Sequence, residues 1–70
     1  MVAHIIFMND APQWVVIDEL LLAKRLMRTM REGYWGVNRG KFPDKKAYEE
    51  TCRWHIDTVP ASRAVWPGSE

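Results

Sequence analysis

Two short apolar runs open the chain, Ala3 to Met8 and Trp14 to Ile17, with the turn-forming cluster Asn9-Asp10-Ala11-Pro12 between them. Their β-branched and aromatic content predicts two strands, and their spacing predicts a β-hairpin with a loop of about five residues. From Asp18 the period changes. At about 100° per residue, Leu20, Ala23, Leu26, Met27, Met30 and Tyr34 fall on one stripe, while Lys24, Arg28 and Arg31 gather on the opposite side. Asp18 suits the N-cap, Glu19 suits the positive end of the helix dipole, and neither Pro nor Gly intervenes before Gly33. These features predict one long helix packed on the hairpin. Leu21 lies off the stripe near Arg28 and is the one large apolar side chain expected to be exposed or claimed by the C-terminal tail.

Gly33 to Pro43 carries three glycines and a proline and predicts a connecting loop. Asp44 is placed to cap a second, short helix through Lys45 to Glu50. Residues 53–59 fit two patterns. Trp54, Ile56 and Thr58 alternate with Arg53, His55 and Asp57 as in a strand, whereas Tyr48, Cys52, His55, Ile56 and Val59 make a helical stripe. The β-favouring composition, and the need of a lone hairpin for a third strand, favour the strand. The expected architecture is a single α+β domain over residues 1–60, a small three-stranded antiparallel sheet packed by one long helix in the order β-β-α-(α)-β. Its expected core is Ile5, Phe7, Val16, Leu20, Met27, Met30, Trp54 and Ile56. Residues 61–70, which follow Pro60 and contain Pro67 and Gly68, read as an extended, partly mobile tail in which Trp66 is an anchor or a partner contact.

Length narrows this further. Seventy residues exclude a two-domain enzyme, and a core this small makes a second copy or a bound partner a natural supplement to stability. No apolar run approaches the roughly 18–20 residues of a membrane span, and the first residues lack the basic and apolar regions of a signal peptide. The single cysteine, Cys52, has no intramolecular disulfide partner, which points to a reducing compartment, the cytoplasm.

Charge is the main functional signal. Between Lys24 and Lys46 there are eight basic side chains against two acidic ones, in a chain whose net charge is only +1. Lys24, Arg28, Arg31, Arg39 and Lys41, interleaved with Trp35 and Phe42, form the candidate partner-binding surface. It suits an acidic protein surface or, as the alternative, nucleic acid, since phosphate contacts and aromatic stacking use the same residue types. The bland reading is a solvated helix face, with Tyr34 and Trp35 closing the end of the core. Cys52, His55 and His4 are too few for a structural zinc site, and on a strand Cys52 and His55 point to opposite faces. No phosphate-binding glycine loop or serine-nucleophile motif is present, so neither catalysis nor a cofactor is expected.

The segments HIIFMNDAPQWVVIDELLLAKRLMRTM and CRWHIDTVPAS resemble a recurring kind of small phage accessory protein: a strand ending in Asn-Asp, a return strand, a helix with lysine and methionine, and a terminal Trp-His-Ile strand closing on Val-Pro. That resemblance implies a host-takeover or counter-defence role, in which a non-enzymatic protein binds and inhibits or redirects a bacterial host protein. Gln13-Trp14-Val15, Glu19-Leu20-Leu21 and Met30 to Trp35 are in turn similar to phage excisionases of the winged-helix type, which implies a DNA-binding regulator. The unbroken stretch from Asp18 to Glu32 departs from that pattern, because it leaves no turn ahead of a recognition helix.

Overall fold

A computed structural model describes residues 1–63; Trp66 and most of the expected tail lie outside the described residues. Strands β1 (Val2–Met8), β2 (Ala11–Ile17) and β3 (Trp54–Pro60) form one antiparallel sheet in the order β2-β1-β3. Helix α1 (Leu20–Asn38) and the short α2 (Lys45–Thr51) connect β2 to β3. Three-residue 3-10 turns follow α1 at Arg39–Lys41 and β3 at Ala61–Arg63. The second of these replaces the extended start expected for the tail. The α+β architecture is the expected one, and its third strand is the alternating Trp54, Ile56 and Thr58 segment.

Both ends of β2 are fixed by the same device. Asn9 takes φ +56° and Asp18 takes φ +61°, left-handed conformations that Asn and Asp tolerate better than other non-glycine residues. Each side chain then reaches a different strand. Asn9 Oδ1 accepts from Arg53 N–H at 3.0 Å, and Asp18 Oδ1 accepts from Val2 N–H at 2.8 Å. Asn9 N–H also donates to Arg53 C=O at 2.7 Å, so the hairpin turn is tied to the entry of β3. Two expectations are corrected here. The turn is Asn9-Asp10 alone, because Ala11 and Pro12 already pair with Met8 and Phe7. Pro12 is tolerated because β2 is an edge strand. Asp18 is not the helix N-cap: Glu19 holds that position without a side-chain cap, while Asp18 extends the β1–β2 ladder.

Strand alternation sends His4, Ile6 and Met8, with Val16, Trp54, Ile56 and Thr58, to the side of α1. Ile6 is fully buried there, and the buried His4 makes a 2.8 Å hydrogen bond to the Thr58 hydroxyl opposite it. On the other side lie Ala3, Ile5, Phe7, Val15 and Ile17, with Phe7 stacked on its cross-strand partner His55 at 5.0 Å. Ile5, Val16 and Ala23 are buried, and Phe7, Met27, Met30, Trp54 and Ile56 are half-buried. Leu20 leaves the expected core, being 41 % exposed, and Leu22 and Val37 join Leu21 at the surface.

Helix α1 does not stop at Gly33. It continues for five more residues because Tyr34 and Trp35 carry aromatic contacts that offset the poor helix propensity of Gly33 and Gly36. Asn38 Nδ2 closes the helix by donating to Tyr34 C=O at 2.9 Å. The second helix starts as expected, with Asp44 Oδ1 accepting from Ala47 N–H at 2.8 Å. A methyl group at Gly33 or Gly36 meets nothing within 4 Å. Gly33→Ala and Gly36→Ala are therefore each expected to stabilise the fold by about 0.5–1 kcal/mol. Urea melts of the two variants check this, and a lower midpoint in either would contradict the helical assignment at that position.

Candidate functional site

The basic residues of α1 share one flank. Lys24, Arg28, Arg31 and Trp35 recur at intervals of four, three and four, within an arc of about 60° on the helix. Arg39 and Lys41 prolong the row through the 3-10 turn, and Lys24 to Arg39 spans about 22 Å at 1.5 Å per residue. Lys24, Arg28, Arg39 and Lys41 are exposed. Arg31 is half-buried, on the side where Glu49, Cys52, Arg53 and Trp54 line an open groove. The row therefore flanks the packed stripe next to Leu20, in place of the opposite side expected, and overlies the α2 and β3 side.

The ion pair among the described residues joins Lys45 to Glu32 at 3.3 Å, with both side chains about half exposed, so it contributes little to stability. No ion pair among the described residues involves Lys24, Arg28 or Arg31. Leu21 sits in the same exposed surface, three residues before Lys24, four before Arg25 and seven before Arg28, and is 72 % exposed. The site is thus a cationic row with an apolar knob at its N-terminal end. Helical spacing in the sequence already places Leu21 near Arg28 and at the surface, and the exposed side chain stands there.

The aromatic members behave differently from the cations. Tyr48, absent from the expected core, is fully buried and organises its neighbours. Trp35 stacks on it at 5.4 Å, Phe42 meets it edge-on at 5.4 Å, and Tyr34 lies at 6.0 Å. Its hydroxyl donates to Arg31 C=O at 2.8 Å and accepts from Trp54 Nε1–H at 2.9 Å. Burial raises the Tyr48 phenol above its ordinary pKa, while the hydrogen bond from Trp54 opposes that shift. Trp35 and Phe42 are half-buried around this ring, so they brace the surface more than they present themselves on it. Arg39 covers the outer face of Trp35, its guanidinium carbon 5.7 Å from the ring centroid.

The thiol and imidazoles are dispersed. His4 lies under the helix, His55 lies on the opposite sheet face against Phe7, and Cys52 is buried at the end of α2. Among the described residues no three His, Cys, Asp or Glu side chains come together as a metal site. None of the described helices is long and apolar enough to cross a membrane. No family model, curated protein or solved structure matches the chain.

Proposed function

We propose that this is a non-enzymatic binding protein of the phage accessory type, which inhibits or redirects a host protein by docking the α1 row on an acidic surface of that protein. The observation that carries the reading is the mixed chemistry of the row. Lys24, Arg28 and Arg31 have no carboxylate partner among the described residues, and the exposed Leu21 stands beside them. An acidic protein surface with an apolar depression satisfies both halves of that chemistry. A phosphate backbone satisfies only the charges, and Trp35 and Phe42, which nucleic acid would need for stacking, are engaged with Tyr48.

Tagged protein is used to capture partners from bacterial lysate with and without nuclease, alongside Arg28→Glu and Leu21→Ser variants. One nuclease-resistant protein should be retained in stoichiometric amount, and each substitution should weaken its capture by about 10- to 100-fold. Capture of that protein unchanged in both variants would remove the α1 row from the interface. Nuclease-sensitive retention, abolished by Arg28→Glu and indifferent to Leu21→Ser, would establish the nucleic-acid reading instead.

A further inference from the structure

We propose that the outer edge of β2 is a self-association edge, on which a second copy of this chain pairs antiparallel about Val15 to make a continuous six-stranded sheet. The two edges of the sheet differ in the way that matters for this. The outer strand β3 carries His55 and Asp57 and is preceded by Arg53, charged or polar side chains of the kind that keep an edge unpaired. Strand β2, Ala11 to Ile17, contains no charged residue, and its own edge-protecting features, Pro12 and the bulge opposite Ile6 and Phe7, lie at its first half and leave Val15 to Ile17 open.

The ladder fixes which groups are available. Asp18 N–H donates to Val2 C=O at 2.9 Å, so Val2 and Asp18 form a hydrogen-bonded pair. In an antiparallel ladder such pairs alternate, which makes His4–Val16 and Ile6–Trp14 the next ones inward. Val15 and Ile17 then occupy the intervening pairs, and their N–H and C=O groups turn to the outer edge. The Ile17 carbonyl already accepts from Glu19 N–H at 2.9 Å, so Ile17 offers its N–H to a new strand while Val15 offers both groups. Among the described residues no strand pairs with this edge.

Symmetry selects a second copy as the occupant. Placing Val15 opposite its own mate lets the two residues exchange both N–H···O bonds, and it sets Gln13 against Ile17 and Trp14 against Val16. Asp18 then faces Pro12, Glu19 faces Ala11 and Asp10 faces Leu20, so no like charges meet. Apolar exposure is concentrated on the same stretch. Ile17, Leu20 and Leu22 are exposed large hydrophobics within six consecutive residues. On the helix layer Gln13 and Val37 line one open groove, which places the Val37 flank of α1 on the β2 side, away from the cationic row. Pairing through β2 therefore leaves Lys24, Arg28 and Arg31 accessible in each copy.

Sedimentation equilibrium from micromolar to millimolar concentration, with amide hydrogen exchange at both ends of the range, tests the pairing. Dimers should form, and exchange of the Val15 and Ile17 amides should slow as concentration rises. Val15→Lys, which sets like charges face to face, and Ile17→Lys, at an exposed site, should each raise the dissociation constant by about 100-fold. Circular dichroism identifies a variant that fails to fold, in which case the other variant and the wild-type exchange data decide. A monomer throughout the range, or a dimer in which these two amides exchange at a rate independent of concentration, would overturn the proposal.

Discussion

Tyr48→Ala is expected to leave the chain largely unfolded at room temperature. Removing a fully buried aromatic costs about 3–5 kcal/mol, and a single core in a chain of this length rarely supplies more than about 3–5 kcal/mol of net stability. The loss is concentrated because Trp35, Phe42 and Tyr34 all pack on this one ring, so its removal unseats the second half of α1 together with α2. Tyr48→Phe separates packing from hydrogen bonding. It keeps the ring but leaves Arg31 C=O and Trp54 Nε1–H without their partner, at about 1–3 kcal/mol, a Tm lower by about 5–15 °C. Thermal melts followed by near-ultraviolet circular dichroism report both variants. A Tyr48→Ala protein melting within a few degrees of wild type would show that the cluster is not the keystone described.

The same phenol sets a pH dependence. Because its folded pKa is raised, the native state holds this proton more tightly than the unfolded chain does. Its contribution to stability is complete below the ordinary tyrosine pKa of about 10 and is lost as pH rises through the folded value. Wild type should therefore lose stability above about pH 10 faster than Tyr48→Phe, and parallel declines of the two proteins would refute that origin.

Asn9 has the second large expected effect. Asn9→Ala should cost about 2–3 kcal/mol, about 1 from the lost acceptor for Arg53 N–H and about 1–2 from forcing a left-handed backbone on alanine. Asn9→Gly keeps the backbone conformation and loses only the acceptor, so the order of stability should be wild type, then Gly, then Ala. Urea denaturation measures all three. Equal values for Gly and Ala would mean that the left-handed turn carries no strain.

The residues that were legible in sequence are those whose role is local. Asp44 caps α2 through an amide three residues away, and Trp54, Ile56 and Thr58 alternate as any half-buried strand does. Asp18 is ambiguous in sequence because the same short polar side chain favours an N-cap and a left-handed turn, and only the position of Val2 decides between them. The extension of α1 past Gly33 was hidden for a related reason. Glycine propensity argues for a break there, and the ring that overrules it belongs to Tyr48, well over ten residues later. The candidate site was half legible. Helical spacing located Lys24, Arg28 and Arg31, but it could not tell that Trp35 and Phe42 turn inward to Tyr48, since an aromatic beside arginine reads alike whether it faces a partner or a core.

The central position of β1 bears on how the protein is made. Strand β1 leaves the ribosome before both of its partners: it pairs on one side with β2, which follows within a few residues, and on the other with β3, which starts 46 residues after β1 ends. At cellular rates of about 5–20 residues per second, Ile6 and its neighbours wait for several seconds before Ile56 can cover their second edge. Until then only a hairpin and an unanchored helix exist, and the burial of His4 against Thr58 has not occurred. The sheet is therefore completed only after β3 has been synthesised, and the nascent hairpin is the stage most open to capture by chaperones or by another nascent copy.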